Sequence, residues 1–472
     1  MSVNRSLNRS TSAKISRRTL MAGATALTLP WAASGCGRVA DAPLQLDSNL
    51  YPIAEAEQLN ARLTWPKSAV PDPDRKIRIT VAHQGDVTIL PRQLQFHRFF
   101  MERHPTIEVV TEATPGDYLQ KYTVQAAGGT LPDVMWTGFS WAQFFIKSGM
   151  FYPLDNYIER EPAFDLHDFT PPSLGYYQRD NQLYALAYDC GPVMLFYNKQ
   201  LFDKAHVPYP NSSWTVDDFL AAAGELTRGQ GGSRVYGFSQ VPDISNETAP
   251  AAGFLRPFGE QFLDGAETEC LLDRAGAIDA LRKWTSALRP AAPSLADSQA
   301  LKAGPFLLGR AAMSYEGYWM APVLYDQGKF PWAVADWPRG PERRSTVAIG
   351  SAYAITADSA QKDAAWIYLQ EYTSTAGLTF IYSSTGRGGP SRWSAWPAYV
   401  QSDYAPEGAE LIQAAMRTYA SSEGVLHQPT SHRVFDAARP VWDQLRNGSR
   451  DLQSACDEVQ RRVQPILMEN AR

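Results

Sequence analysis

The 472-residue sequence predicts an α/β fold, and residues 76–136 carry the prediction. Apolar segments of strand length alternate there with stretches of helical period. Each helical stretch stops at Pro or Gly. The resulting order is strand, helix, strand, helix, strand, which argues for a parallel sheet covered by helices.

The elements follow in turn. Lys76-Ile77-Arg78-Ile79-Thr80-Val81 alternates apolar and polar residues and is rich in branched ones, as a strand requires. Residues 83–86 form a loop. Leu90, Leu94, Phe96, Phe99 and Phe100 recur with a helical pattern over 89–103, and Pro105 stops it. A second strand is expected at 107–110, a helix at 117–127 ended by Gly128-Gly129, and a third strand at 132–136. Ligands of such sheets bind beyond the carboxyl ends of the strands. Those ends are residues 83–86, 114–116 and 136–141. The last, Trp136-Thr137-Gly138-Phe139-Ser140-Trp141, packs three aromatics into a strand-to-helix turn. A helix starting near Ser140 would present free N–H groups there. Core filling by the same aromatics is the competing reading.

Composition narrows the function. Hydrophobic residues make up 44% and charged residues 20%, which is ordinary globular composition. No apolar run reaches the roughly 20 residues of a spanning helix. The net charge is −5, and residues 1–35 hold five bases and no acid. Beyond them 39 basic residues face 49 acidic ones, a net charge of −10. No basic stripe exists, so nucleic acid is not an expected partner. Seven histidines are scattered without paired-ligand spacing, and no phosphate-loop pattern occurs, so neither metal nor cofactor is expected.

Residues 1–36 read as an export address. Ser16-Arg17-Arg18-Thr19-Leu20-Met21 resembles a twin-arginine motif and precedes a modest apolar stretch. Ala33-Ser34-Gly35-Cys36 looks like a lipobox with Ala33 where Leu is usual, so lipidation at Cys36 is expected; the alternative is an ordinary signal cleaved nearby. The expected localisation is periplasmic, or the outer face of the cytoplasmic membrane, held by a lipid alone. Residues 37–74 carry five prolines and read as a tether, apart from a helix at 54–63. Cys190, Cys270 and Cys456 then remain, enough for at most one bridge.

Leu131-Pro132-Asp133-Val134 and Leu195-Phe196-Tyr197-Asn198-Lys199 carry a resemblance to a known family. So do Trp214-Thr215-Val216-Asp217-Asp218-Phe219, the stretch Arg310-Ala311-Ala312-Met313 with Glu316-Gly317-Tyr318-Trp319 after it, and Ile349-Gly350-Ser351-Ala352-Tyr353. Together they resemble family 1 extracellular solute-binding proteins, the maltose-binding-protein-like subunits of ATP-driven importers. The resemblance spans about residues 77–467. It implies a two-lobed periplasmic-binding-protein fold, with a ligand cleft between the lobes and hinge crossovers near 188–192, 311 and 351–353. Lobe one would comprise 75–188 and 311–352, and lobe two 189–310 and 353–472. It also implies a carbohydrate or polyol ligand, transmembrane permease subunits as partners, and a monomer.

The expected site residues lie where the crossings meet the cleft. Trp136, Phe139 and Trp141 offer faces for sugar rings. Asp189 accepts hydroxyl hydrogens at the first crossing. Glu316 with Trp319 forms a second cluster, and Tyr353 stacks or donates at the last crossing. Arg387 lies in the glycine-rich stretch 383–390, where the chain can approach a ligand closely. Gln84 and Ser140 complete the set. Two rivals stand beside this reading. Asp189 and Glu316 would suit the carboxylate pair of a secreted glycoside hydrolase, and a lipid-anchored sensor would bind the same ligand without feeding an importer.

Overall fold

Eleven strands organise the chain in this computed structural model, which describes residues 51–68, 75–86, 88–113, 116–244, 252–301, 304–422 and 427–470. They are β1 Ile77–His83, β2 Ile107–Ala113, β3 Val134–Gly138, the small hairpin of β4 Gln178–Arg179 and β5 Gln182–Leu183, β6 Ala185–Asn198, β7 Tyr236–Phe238, β8 Ala311–Gly317, β9 Trp332–Ala335, β10 Thr346–Ile355 and β11 Ala420–Ser421. All but the hairpin join one mixed sheet in the order β2-β1-β3-β10-β6-β8-β7, with β11 on β10 and β9 on β6.

The expected opening succession is present. Strand β1 pairs in parallel with β2 and β3. Helices α2 (Leu90–Arg103) and α3 (Tyr118–Ala127), preceded by α1 (Ile53–Arg62), connect or cover them. Asp117 caps α3 by accepting the Gln120 N–H at 2.9 Å. Strand β3 runs to Gly138, two residues further than expected, and α4 (Phe139–Lys147) follows at once.

Two long strands join the halves of the sheet. All 14 residues of β6 are buried, as a strand covered on both faces should be. Its first part, through Pro192, pairs with β10; from Val193 onward it pairs with β8, and near its end with β9. Strand β10 pairs antiparallel with both β6 and β3. The register slips where Ser351 faces Asp189 but Ala352 faces Ala187, which leaves Tyr188 as an extra residue. A bulge of this kind bends its strand and re-aims the neighbouring side chains.

Two segments pair or pack as follows. Strand β8, expected with lobe one, pairs with the far part of β6 and with β7. The helix Lys362–Tyr372, expected with lobe two, packs on β1 and β10.

Part of the segment expected as a tether is packed. Residues 51–68 are packed, because aromatics and cations interlock there. Tyr51 is buried beneath the Arg92 guanidinium at 5.0 Å, and Arg103 lies 3.8 Å over Trp65 while donating to the Asn60 side chain at 3.0 Å. Helix α1 buries Ala56 in the main core, against α2. The export motif, the Cys36 site, and tether residues 37–50 and 69–74 lie outside the described residues. Cys190, Cys270 and Cys456 are buried and unbridged.

Candidate functional site

A cavity of about 460 Å³ opens at the carboxyl ends of β1 and β3, beside the bulge in β6. That volume suits a small-molecule ligand. Eight of the ten expected site residues line it: Gln84, Trp136, Phe139, Ser140, Trp141, Asp189, Trp319 and Arg387.

One wall is an aromatic corner. The Trp136 ring is tilted on Tyr118 at 4.6 Å and meets Trp141 edge-on at 6.1 Å. Its indole N–H donates to the Tyr188 hydroxyl at 3.0 Å, which fixes the ring from behind. Tyr118 is held in turn by donating to the Gln84 carbonyl at 2.5 Å. Strand β3 ends at Gly138 and α4 begins at Phe139, so the first turn of α4 borders the cavity.

The charged wall comes from two loops and strand β6. Asp189 is 2% exposed, and its Oδ1 accepts the Ser351 N–H at 2.7 Å. Burial pushes its carboxyl up to about 6, against the opposing pull of Arg387. Arg387 is 5% exposed and donates to Asp86, and its Nε lies 4.0 Å from Asp189 Oδ2. The loop behind Arg387 fits because two glycines allow a close approach. Gly389 takes a left-handed φ of 58°. A Cβ there would meet the Tyr318 ring at 3.0 Å, and one at Gly191 would meet the same ring at 2.4 Å. The Gly389 carbonyl then accepts the Cys190 N–H at 2.6 Å, which ties the loop to β6.

Two expected residues lie elsewhere. Tyr353 is fully buried; its hydroxyl bonds His83 Nδ1 and accepts from Gln93 Nε2 at 3.2 Å. It stands two residues beyond Ser351 along β10, about 6.5 Å further into the sheet, and there the ring serves the core. Glu316 turns away toward Ser314, whose hydroxyl donates to it at 2.8 Å and meets Ser239 at 2.7 Å. Burial raises the Glu316 carboxyl to about 7. Asp189 lines the cavity and Glu316 does not, so the Asp189–Glu316 pair is not assembled in it.

Five side chains of the cavity escaped the list of expected site residues: Asp86, Tyr118, Tyr318, Ile349 and Ser351. Each sat within or beside a segment already singled out. Asp86 closes the loop after β1, Tyr118 opens the helix after the second strand end, Tyr318 stands between Glu316 and Trp319, and Ser351 precedes the last crossing.

The family model described as bacterial extracellular solute-binding protein matches residues 89–378. The chain belongs to that family. The solute-binding proteins resembling it include a Brucella abortus relative named as a binding protein without a ligand, 28% identical over 307 residues, covering 62% of this chain and 70% of that one. A Listeria monocytogenes ABC substrate-binding protein solved with cycloalternan superposes with a TM-score of 0.74 at 22% identity, over 83% of this chain and 98% of that one. The maltose/maltodextrin-binding domain MalE from Bdellovibrio bacteriovorus, bound to maltotriose, does so with 0.67 at 19% identity, over 82% and 99%. The solute-binding protein therefore has the two-lobed periplasmic-binding-protein fold. None of its described helices is long and apolar enough to cross a membrane.

Proposed function

We infer that this solute-binding protein is the extracytoplasmic substrate-binding subunit of an ABC importer. Its cavity captures a sugar, polyol or oligosaccharide and delivers it, chemically unchanged, to a membrane permease. One observation carries the reading: an aromatic corner of Tyr118, Trp136 and Trp141 shares a single cavity with Asp189 and Arg387. Ring faces cover the C–H faces of a sugar, while carboxylate and guanidinium pair with its hydroxyls. A hydroxyl buried without a partner costs about 1–3 kcal/mol, which lets such a site reject wrong epimers. The oligosaccharides held by the Listeria and Bdellovibrio proteins support the same ligand class.

The two lobes divide at β6 and β10: β1 to β3 with the helix Lys362–Tyr372 on one side, and β7 to β9 on the other. Hinge motion about these strands closes the lobes on the ligand and shifts the population toward the form the permease accepts. The protein works as a monomer, exported and anchored by a lipid on Cys36.

A thermal-shift screen across sugars, polyols and oligosaccharides tests this, because a ligand that binds only the folded state raises the melting temperature. Trp136→Ala and Asp189→Ala should each abolish the shift of the best hit. Shifts retained in both variants, or turnover of the sugar, would overturn the assignment.

A further inference from the structure

Asp86, Asp189 and Arg387 put two acids and one base around a single cavity. The Arg387 guanidinium bonds Asp86 through Nη1, and its buried Nε lies 4.0 Å from Asp189 Oδ2 with no hydrogen-bond partner among the described residues. A guanidinium in a cavity wall is the usual start of a carboxylate or phosphate site. Asp86 closes that option. Its Oδ1 is fixed by the Thr88 N–H at 2.9 Å and the Thr88 hydroxyl at 2.7 Å, which leaves Oδ2 for Arg387. Arg387 and Thr88 hold the Asp86 carboxyl below the usual carboxylate range, despite burial. With Asp189 also ionised above about pH 6, the three groups sum to one negative charge at neutral pH.

We propose that Asp86 determines the charge class of the ligand: by neutralising Arg387 it converts a latent anion site into one that favours an uncharged ligand. The cleft then takes neutral sugars or polyols and excludes uronic acids and phosphorylated sugars. This deepens, and rests on, the sugar-capture reading above. The place of Asp86 at a strand end is legible in the sequence, but this role is not, because it depends on a partner 301 positions away.

Sodium sulfate is the probe, titrated calorimetrically at low ionic strength and pH 7.5 into the wild-type protein, Asp86→Asn, and Asp86→Asn combined with Arg387→Gln. The Asn variant keeps an acceptor for Thr88 and removes only the charge. The single variant should bind sulfate about tenfold or more tightly than wild type, and the double variant should lose that gain. Wild type binding sulfate as tightly as the single variant would overturn the proposal. So would a folded Asp86→Asn, checked by far-UV circular dichroism, that gains nothing. Asp86→Ser serves as the second variant if Asn fails to fold: a gain in sulfate affinity supports the proposal, and its absence overturns it. The sulfate arms do not depend on any sugar binding, so a failed sugar screen and a failed charge assignment are read separately.

Discussion

Two buried polar clusters lie one behind the other in the first half of the sheet, and only one of them lines the cavity. The inner cluster joins His83, Gln93, His97, Tyr353, Tyr368, Tyr372 and Tyr382. His83 and His97 are 3.0 Å apart, Gln93 Nε2 donates to Tyr372 at 2.8 Å, and Tyr372 meets Tyr382 at 2.6 Å. Burial drives His97 down to about 3 and His83 well below its ordinary value, so both rings are neutral at working pH. Among the described residues, no buried polar side-chain atom of this cluster lacks a partner. The outer cluster of Asp86, Asp189 and Arg387 keeps a buried donor without one. The difference teaches that burial and polarity do not make a site. A set of groups that satisfy one another builds structure, and charged groups that line a cavity without fully satisfying one another suit a ligand.

If this contrast holds, substitutions in the two clusters separate stability from binding. The largest effect belongs to Asp189. Burial raises its pKa from 3.8 to about 6, so the folded chain holds this proton more tightly than the unfolded one. The resulting destabilisation is absent below about pH 4, grows with rising pH, and is complete above pH 6, at up to about 3 kcal/mol. Asp189→Asn should remove part of the fall in melting temperature between pH 5 and pH 7.5. Glu316, raised to about 7, would supply the remainder. The same variant should weaken ligand binding about 10- to 100-fold by calorimetry, because a carboxylate acceptor is lost. A variant that keeps both the pH dependence and the affinity would erase the distinction.

Gln93→Leu probes the inner cluster. It strips partners from three tyrosine hydroxyls and should cost about 1–3 kcal/mol in urea unfolding. Ligand affinity should stay within about twofold; a larger loss would mean that the inner cluster also serves the cavity. The smallest effect sits on the link between the two. Tyr188 accepts the Trp136 indole N–H and stacks on Tyr382 at 4.6 Å. Tyr188→Phe leaves that N–H unpaired, at about 1 kcal/mol. Affinity should fall about three- to fivefold, together with a shift in tryptophan emission that a purely structural role would not produce.

The local alternation of β1, α2, β2, α3 and β3 was legible because hydrophobic period and Pro or Gly stops are written in neighbouring residues. The cavity walls were legible for the same reason, since loops at strand ends follow from the order of elements. What escaped depends on distant partners. Tyr353 looked like a cavity residue because it lies beside a crossing, yet His83 and Gln93 claim its hydroxyl. Glu316 is drawn aside by Ser314 and Ser239. The packing of residues 51–68 rests on Arg92 and Arg103, whose stacking on Tyr51 and Trp65 leaves no periodic trace in the segment itself.

Under the lipid anchoring proposed above, that packed segment would shorten the leash. With a lipid on Cys36, only the 14 residues 37–50 separate the anchor from chain already clamped to α2. Even drawn straight they reach about 50 Å. The binding body would then patrol a shell about one protein diameter deep, where a permease in the same membrane meets it at high effective concentration. Delivery would depend less on diffusion through the outside space than on how often the tethered body turns the right way.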